Sequence, residues 1–551
     1  MPTPDASQYT QFRRYASVAG DALGSVGSKI SPFNTAYSIP LLTASSQALF
    51  LPSANKEKKF PPPPGRSPND PIWSTQIGSG TNYTYVNGNV ICEDGTIVVA
   101  GETVLKVLFA GSETYDHYVS FVARYSSSGS FISGITFGSG NTYVRADSIT
   151  VDSQGNIYVT GSTCENLTAY RPYHYGQNAF AVKFTSEFEL VWLKEFGSGW
   201  NYTYSFTSLL APNGYLYVAV LTNDSDWNNI TSSHSQIGGQ DSIVLVIDPV
   251  TGETYSGFTI GDQTGIVKIN QLVWIPEGSY APVGTIPNLI AVVGTSNCLS
   301  LNGVDEGVPG VEFAGNHGGR YGYIYMISEF LEPGPYWGIG SGSNNHYTYL
   351  FGATLLSFPY GVLLVAAGAT TEYLQSDGEH NPGEYLAGGG QIGFTAGLFG
   401  NIESAGIYPI RYVGNDSCNT YISLITSDIN QQVYISGTSN ENNDPTNGGA
   451  QFPDGRNLGF ALKTHFCSDN TAYIQIGKPT GSGFGDVEPN TMASDILGDT
   501  YISGGTFQNL TNGSALSGDY AEDGFLVKAY NPANTYNTPI FMKSDTSQCD
   551  P

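Results

Sequence analysis

The sequence predicts an all-β fold assembled from seven copies of one small unit. The first observation is a repeated strand pair with a tight Asp, Asn or Gly turn, whose copies lie about 58 to 75 residues apart in the 551-residue chain. The second is a third strand after each copy, joined to a fourth by a short hairpin. The strand pairs are ICEDGTIVVAGET (91–103), ITVDSQGNIYVTGST (149–163), LLAPNGYLYVAV (209–220), LIAVVGTS (289–296), GVLLVAAGAT (361–370), INQQVYISGTS (429–439) and ILGDTYISGGT (496–506).

The third and fourth strands complete each unit as a four-stranded antiparallel sheet. Third strands are predicted at FVARY (121–125), FAVKF (180–184), SIVLVI (242–247), YIYMI (323–327), FTAGLF (394–399), FALKT (460–464) and FLVKAY (525–530). Fourth strands are predicted at FISGITFG (131–138), LVWLKEFG (190–197), YSGFTIG (255–261), YWGIG (336–340), IRYVG (410–414) and AYIQIG (472–477). Four short strands cannot bury both faces of a sheet, so the repeat predicts seven sheets stacked around an axis as a seven-bladed β-propeller.

The two ends of the repeat array are offset by one strand. The segment IWSTQIG (72–78) has the fourth-strand pattern but precedes the first complete unit. We therefore expect residues 72–77 to complete the last blade and to close the ring by pairing the ends of the array. The segment TPIFMK (538–543) is the alternative candidate for this closing strand.

The repeat resembles the bacterial-type β-propeller repeat known as SBBP. The segments that carry the resemblance are DSQGNIYVTGST (152–163), FAVKF (180–184) and LVWLKEFG (190–197). It extends over roughly residues 72–531 and weakens in the fourth and fifth units. The resemblance implies a propeller scaffold with no fixed reaction, so function has to be inferred from particular sites.

Composition and charge limit the kind of protein. Charged residues make up 12% of the chain and aromatic residues 13%, with 68 Gly and 37 Tyr, as in a turn-dense β protein. We divide the chain into an N-terminal arm with a proline-rich spacer (1–71), one propeller (72–531) and a C-terminal tail (532–551). No apolar run of about eighteen residues and no secretory leader pattern occurs, so we expect no membrane insertion.

The charge is unevenly distributed. The first 71 residues carry a net charge of +3 and the rest −29, which sum to −26. An acidic propeller is expected to repel nucleic acid and anionic membranes. Its acidity either keeps the protein soluble or serves to bind cations or a basic partner.

The N-terminal arm is predicted to begin with a short helix over residues 6–19. Asp5 and Gln8 have the spacing of a capping box. A helix of this length is marginal unless it packs on something. Farther on, KEKKFPPPPGR (56–66) predicts a stiff polyproline spacer, so the arm has the layout of a tether. We expect four residues to anchor it in a larger assembly: Tyr9, Phe12, Arg13 and Arg14.

The leader PTPDASQYTQFRRY (2–15) also resembles the leader of virion proteins of large DNA viruses of algae and protists. The resemblance covers only about fifteen residues. It implies synthesis in a host cytoplasm without a signal peptide. The alternative is a tail whose sequence carries no such meaning.

A loop rich in Gly, Asn and Tyr follows the fourth strand in five units. Its copies are GSGTNYTY (78–85), GSGNTY (138–143), GSGWNYTY (197–204), GSGSNNHYTY (340–349) and GNDSCNTY (414–421). This connection leads into the innermost strand of the next blade, so the copies are expected to gather near the axis on one face.

Aromatic rings with a polar edge, together with amide groups, are what sugar rings require. We therefore predict a glycan-binding rim made of Asn82, Tyr83, Tyr85, Tyr143, Trp200, Tyr202, Tyr204, His346, Tyr347, Tyr349 and Tyr421. The alternative is structural: the glycines form the turn and the tyrosines pack between adjacent blades.

The loops between second and third strands are long and are expected on the same face. They span 164–179, 221–240, 296–319, 371–390, 439–458 and 507–523. Variable loops on a repeating frame are where specificity usually resides. They contain the acids Asp224, Asp226, Asp377 and Glu379 but no calcium-loop motif, so we expect no cofactor or metal, with Ca²⁺ as the alternative.

Catalysis finds little support in the sequence. The seven histidines show no HExxH spacing, and no serine lies in a nucleophile elbow ahead of a helix. Paired carboxylates need only meet in space. The loop acids worth examining are Glu113, Asp116, Glu372 and Asp377.

The sequence therefore indicates a non-enzymatic structural or attachment protein on the surface of a particle, first of all a virion. The arm would bind capsid or other particle proteins, and a propeller face would contact protein or a host glycan. One alternative is a secreted or cell-surface carbohydrate-binding propeller. A third hypothesis is a polysaccharide-acting enzyme.

Overall fold

The computed structural model describes the strands of the chain and part of its loops. The described residues are 13–16, 71–106, 113–169, 171–172, 176–224, 240–261, 265–277, 288–298, 301, 319–340, 346–358, 361–374, 386, 390–399, 406–414, 418–428, 432–441, 456–465, 470–477, 486–495, 498–510, 516, 522–530 and 538–539. Two compact units divide the chain: Met1–Ala16 together with Pro68–Pro551, and Ser17–Ser67. The second unit lies outside the described residues.

The strands are short and follow one another in chain order. The first sixteen are β1 (Arg13–Ala16), β2 (Trp73–Ile77), β3 (Thr84–Ile91), β4 (Ile97–Leu105), β5 (Thr114–Tyr125), β6 (Phe131–Phe137), β7 (Val144–Val151), β8 (Ile157–Thr163), β9 (Glu165–Asn166), β10 (Arg171–Pro172), β11 (Asn178–Phe184), β12 (Leu190–Phe196), β13 (Thr203–Leu210), β14 (Leu216–Thr222), β15 (Asp241–Ile247) and β16 (Thr254–Ile260). The others are β17 (Val267–Ile275), β18 (Leu289–Ser296), β19 (Tyr321–Ser328), β20 (Pro333–Ile339), β21 (Thr348–Phe358), β22 (Gly361–Thr370), β23 (Ile392–Phe399), β24 (Gly406–Val413), β25 (Thr420–Ser427), β26 (Gln432–Ser439), β27 (Leu458–His465), β28 (Asn470–Ile476), β29 (Val487–Ser494), β30 (Thr500–Thr506), β31 (Asp523–Tyr530) and β32 (Thr538–Pro539).

Seven antiparallel sheets of four core strands form the blades of a propeller ring, which confirms the predicted fold. From the inner to the outer strand, the blades are β3-β4-β5-β6, β7-β8-β11-β12, β13-β14-β15-β16, β17-β18-β19-β20, β21-β22-β23-β24, β25-β26-β27-β28 and β29-β30-β31-β2. Each inner strand contacts the inner strand of the next blade, and β29 contacts β3, so the ring is closed.

The closing strand comes from the N-terminal side, as predicted. Strand β2 pairs with β31, from Trp73 opposite Lys528 to Ile77 opposite Gly524. The alternative closing segment, 538–543, is wrong in this role. Its described residues, Thr538–Pro539, pair instead with the outer strand β28 of the sixth blade.

The predicted helix over residues 6–19 is wrong where the structure describes it. Arg13–Ala16 forms strand β1, which pairs with β6 from Arg13 opposite Thr136 to Ala16 opposite Ser133. Without β1, strand β6 would present unpaired N–H and C=O groups at the outer edge of the first blade, and a short helix with nothing to pack on is marginal. Tyr9 and Phe12 lie outside the described residues.

The hydrophobic core lies between neighbouring blades. In most blades the second and third strands are buried along their whole length, as in β8 and β11. Their side chains pack across blade boundaries in separate clusters, for example Val98 with Val159 and Phe180 between the first two blades. This two-sided burial explains why these strands are continuous runs of Val, Ile, Leu and Phe. Among the described residues there is no helix long and apolar enough to cross a membrane.

Candidate ligand site at the axial channel

Every inner strand carries a β-bulge at the same place, after its third residue. The bulged residues, which have no direct partner in the second strand, are Asn87, Asp147, Phe206, Asn270, Phe351, Ser423 and Asn490. All seven line one cavity of about 410 Å³ on the propeller axis. A bulge bends its strand and re-aims the side chain, which is how each blade contributes one residue to this channel.

A glycine on the second strand permits the bulge in six blades. A Cβ on Gly101 would overlap the carbonyl oxygen of Tyr85, and one on Gly368 would overlap that of Tyr349. The equivalent glycines are Gly161, Gly294, Gly437 and Gly504. The third blade has Val220 at this place, paired with Ser205, and keeps the bulge. In these six blades the glycine of the second strand therefore allows the close approach of two backbones.

Some bulged side chains fasten one blade to the next. Asn87 Nδ2 donates to the carbonyl oxygen of Ala146 at 2.9 Å, and Asn270 Nδ2 donates to that of Leu350 at 2.6 Å. Ser423 Oγ donates in the same way to the carbonyl oxygen of Pro489 at 3.2 Å. Part of the polar surface of the channel is therefore committed to holding the ring together.

The second residue of each inner strand lies one layer closer to the channel mouth. These residues are Tyr85, Arg145, Tyr204, Lys268, Tyr349, Tyr421 and Glu488. Two aromatic ladders run along inner strands at this mouth. Tyr204 stacks on Tyr202 and Phe206 with centroid distances of 6.2 and 6.0 Å. Tyr349 stacks on Tyr347 and Phe351 at 6.4 and 5.9 Å.

A second cavity, of about 440 Å³, adjoins the channel between the fourth, fifth and sixth blades. It shares Lys268, Asn270 and Phe351 with the axial cavity. Its other linings include the rings of Tyr349 and Tyr421, the Gln391 amide and the Arg320 guanidinium. This cavity, which we call the blade 4–6 cavity, combines aromatic faces, amides and two cations.

The opposite side of the mouth, at the seam of the ring, is acidic. Tyr83 donates a hydrogen bond of 2.9 Å to Glu102 Oε1, and Tyr85 donates one of 2.9 Å to Glu488 Oε2. Glu522 is 5% exposed, and its Oε1 has no hydrogen-bond partner in the part of the chain that the structure describes. Burial, reinforced by the carboxylates of Glu488 and Glu102, raises the pKa of Glu522 to about 8.

The channel also contains the ion pair of Arg145 and Asp147, with Lys268 nearby. Arg145 Nε lies 2.6 Å from Asp147 Oδ1. Burial raises the pKa of Asp147 to about 7 despite the opposing effect of the Arg145 guanidinium. Burial also lowers the pKa of Lys268, while Asp147 partly offsets this change. The mouth is thus acidic at the first and seventh blades and cationic near the fourth.

The structure brings together some of the predicted rim residues. Tyr349 and Tyr421 line the blade 4–6 cavity. Tyr85 and Tyr204 lie on the inner strands β3 and β13, and Tyr83 and Tyr347 directly precede the inner strands β3 and β21. Tyr143, Trp200 and Tyr202 precede inner strands and are 45%, 62% and 46% exposed. Asn82 uses its amide within its own loop, donating to Ser79 Oγ at 3.3 Å.

His346 has a different position from the other predicted rim residues. It is 4% exposed, and its Nδ1 lies 2.9 Å from Glu372 Oε2. Glu372 is itself buried. This pair therefore presents little surface to a ligand.

Buried carboxylates hold the glycine-rich loops in place. Ser139 N–H donates to Glu165 Oε1 and Ser198 N–H to Asp224 Oδ2, both at 2.7 Å, and Gly80 N–H donates to Asp523 Oδ1 at 3.0 Å. Of the loop acids selected from the sequence, Asp224 and Glu372 thus have structural contacts, and Glu113 and Asp116 are exposed. Asp226, Asp377 and Glu379 lie outside the described residues.

Sequence reasoning missed the charged residues of the mouth. Arg145, Lys268 and Glu488 occupy the place that tyrosine holds in other blades, so aligning the inner strands would have found them. Glu102, Arg320 and Glu522 come from second and third strands or the residue before them. Glu102 pairs with Tyr85 in its own blade, Arg320 pairs with Tyr347 of the next blade, and Glu522 reaches the mouth at the seam of the ring. The described residues include no group of three or more His, Cys, Asp or Glu able to hold a metal ion.

Comparisons with known proteins agree on the fold. The family model described as a β-propeller repeat, SBBP, matches residues 132–167, from the fourth strand of the first blade to just beyond the second strand of the next. The chain therefore carries a repeat of this family, as its resemblance implied. A search of curated proteins finds no match.

Three solved structures resemble the chain at low identity. A polysaccharide lyase of family PL25, an ulvan lyase bound to a GlcA-Rha3S saccharide, is 11% identical with a TM-score of 0.38, covering 78% of this chain and 93% of the lyase. A protein of unknown function from Dyadobacter fermentans is 10% identical with a TM-score of 0.34, covering 72% and 98%. The hemagglutinin-neuraminidase ectodomain of parainfluenza virus 5 is 8% identical with a TM-score of 0.31, covering 83% and 82%.

Proposed function

We propose that this protein is a carbohydrate-binding β-propeller that takes a saccharide at the mouth of its axial channel. The observation that carries the proposal is the pair of aromatic ladders, Tyr202–Tyr204–Phe206 and Tyr347–Tyr349–Phe351, beside a polar cavity. The fold itself supports a role in protein interaction or carbohydrate recognition.

Sugar binding needs flat apolar faces for C–H groups and polar groups that satisfy hydroxyls. The part-exposed rings of Tyr347 and Tyr349 supply the faces. The Gln391 and Asn270 side chains border the same cavity. The cavity volume of about 440 Å³ falls in the usual range for small-ligand sites. A cavity of this size accommodates one or two sugar rings.

Glycan-array screening of the full chain, followed by calorimetric titration of the best saccharide, tests this proposal. Tyr349→Ala should weaken binding about five- to thirtyfold, because a sugar–aromatic contact contributes on the order of 1–2 kcal/mol. Tyr255→Ala is the matched control, since Tyr255 is 60% exposed but lies on the outer strand β16. Equal loss in both variants, or binding unaffected by Tyr349→Ala, would contradict a site at the channel mouth.

A second candidate is a structural or attachment protein of a particle surface, with the virion first. The observation that favours it is strand β1, because an N-terminal segment able to extend a blade edge can in principle extend a neighbouring protein in the same way. In this proposal the arm, with Tyr9, Phe12, Arg13 and Arg14, binds capsid or other particle proteins. The propeller face then contacts protein or a host glycan.

Density-gradient fractionation of the source material tests the second candidate. A fixed ratio of this chain to the major particle protein, lost on deletion of residues 1–71, would support display on a particle. Recovery of the full chain only in soluble fractions would exclude it.

The same purified protein, incubated with polysaccharides, would reveal any turnover by the acidic side of the mouth.

A further inference from the structure

We propose that the saccharide is anionic, with its carboxylate or sulfate group bound in the blade 4–6 cavity between Lys268 and Arg320. This inference rests on the proposed carbohydrate-binding function and specifies its substrate class. The chain has only 21 Lys and Arg against 47 Asp and Glu. Two of these scarce cations nevertheless line one small cavity.

In the part of the chain that the structure describes, the carboxylate that acts on Lys268 is that of Asp147, which is itself paired with Arg145. Among the described residues, neither Lys268 nor Arg320 forms an ion pair with a carboxylate. Lys268 Nζ lies over the ring of Phe206, 4.4 Å from its centroid, and the Arg320 guanidinium lies 5.8 Å from the centroid of Tyr349. Aromatic faces stabilise these cations without neutralising them, so both keep their capacity for an external anion.

Lys268 is held in a partly buried position. Burial lowers its pKa, which shows that its charge loses hydration in the folded chain. An anion arriving at this site would restore favourable electrostatic interaction where the dielectric constant is low. A charge-assisted hydrogen bond there is stronger than one at a fully exposed lysine.

The acidic seam at the opposite side of the mouth determines the orientation of the ligand. Glu102, Glu488 and Glu522 meet there around Tyr83 and Tyr85. Negative charge on this side repels an anionic group, so the seam faces hydroxyl-bearing parts of a saccharide. Glu522 adds little to this repulsion at pH 7, because its pKa is raised to about 8. The anionic sugar therefore lies toward the fourth and fifth blades, with Tyr349 beneath its ring.

Calorimetric titration with matched saccharides tests the inference. One pair is tetragalacturonate and its fully methyl-esterified form, which differ in charge but not in sugar. A second pair is a sulfated carrageenan tetrasaccharide and its desulfated counterpart. We expect the full chain to bind at least one anionic member about tenfold or more tightly than its neutral partner. The two pairs distinguish a carboxylate from a sulfate ligand.

Two variants locate the effect. Lys268→Met and Arg320→Gln should each weaken binding of the anionic saccharide about tenfold or more and so reduce its preference over the neutral partner. Arg320 is exposed, so its variant should fold normally even if Lys268→Met does not. Lys463→Met is the control, because Lys463 Nζ also lies over a ring, 5.5 Å from the Tyr434 centroid, but lines neither cavity.

The outcomes separate this inference from the proposed function. Equal affinity for charged and neutral members, or preference for a neutral glycan on the array, would overturn the anionic ligand and keep carbohydrate binding. Loss of binding in Lys463→Met to the same extent would also overturn the assigned position. No binding of any glycan would overturn the proposed function itself.

Discussion

Tyr85 and Glu488, 403 residues apart in the chain, are joined by a 2.9 Å hydrogen bond from the Tyr85 hydroxyl to Oε2 of Glu488. The two residues occupy the same position on the inner strands β3 and β29, which are neighbours only because the ring closes. This bond therefore joins the first and last inner strands at the mouth of the channel. It also links the stability of the ring to the chemistry of the acidic seam.

Loss of this bond should destabilise the ring. Tyr85→Phe leaves the Glu488 carboxylate without its donor, so we expect the free energy of unfolding to fall by about 1–3 kcal/mol. Tyr421→Phe is the matched control, because Tyr421 holds the equivalent place on β25. Thermal unfolding followed by circular dichroism measures both, and equal melting temperatures for the two variants would contradict a role for the seam bond.

Glu522 should make stability fall with rising pH. Its pKa is raised from 4.5 to about 8 in the folded chain, so the folded state binds more protons than the unfolded state between these values. The contribution is fully present below about pH 4.5 and is lost as the pH rises to about 8. Glu522→Gln removes the ionisation. The free energy of unfolding of this variant, relative to that of the wild type, should therefore rise by a few kcal/mol between pH 5 and pH 9.

Unfolding measurements at pH 5, 7 and 9 check the Glu522 prediction by comparing the variant with the wild type at each pH. The exposed residue Glu253 provides the control variant, Glu253→Gln. A difference between Glu522→Gln and the wild type that stays constant over this range would show that the Glu522 carboxyl is not held neutral.

Loss of the first candidate closing segment should reduce the stability of the ring much more than loss of the second. Deleting residues 1–77 removes β2 and exposes β31, so we expect an unfolded or aggregated product. Of the strands that the structure describes, deleting residues 538–551 removes β32 alone, from the outer edge of the sixth blade. The melting temperature of this truncation should stay within a few degrees of the wild type. Size-exclusion chromatography and thermal unfolding of both truncations test this, and the reverse order of stability would contradict the observed pairing.

Gly368, which pairs with Leu350 and lies against the carbonyl oxygen of Tyr349, should be sensitive to a single added methyl group. A Cβ at position 368 overlaps the Tyr349 carbonyl oxygen, so Gly368→Ala must push the inner strand toward the channel. We expect a loss of about 1–3 kcal/mol in unfolding free energy, together with weaker saccharide binding because Tyr349 moves. Wild-type stability and affinity in this variant would show that the fifth blade, like the third with Val220, accommodates the bulge without a glycine.

The repeat made the blades predictable from sequence. The second and third strands are buried on both faces, so their apolar, β-branched runs reveal them without any knowledge of neighbours. The closing strand 72–77 was also predictable, because its pattern matches that of the fourth strands. The strand Arg13–Ala16 was not, since it forms only where the edge of β6 offers it partners.

The site was predictable only in part, for a related reason. The tyrosines follow the glycine-rich loops at a fixed offset, which drew attention to Tyr349 and Tyr421. Lys268 is the second residue of its inner strand, as Tyr349 is, but the loop before it lacks the glycine-rich motif. The sequence pattern therefore did not point to Lys268. Arg320 and Glu522 reach the mouth from other strands: Arg320 depends on the contact between the fourth and fifth blades, and Glu522 on the closure of the ring.

The most direct measurement of the central claim is a crystal structure of the full chain with the tightest-binding saccharide from the array. We expect its electron density at the channel mouth, with a sugar ring against Tyr349 and an anionic group between Lys268 and Arg320. Density on the outer strands or along the blade edges, with the channel mouth filled by water alone, would contradict the assignment of this site.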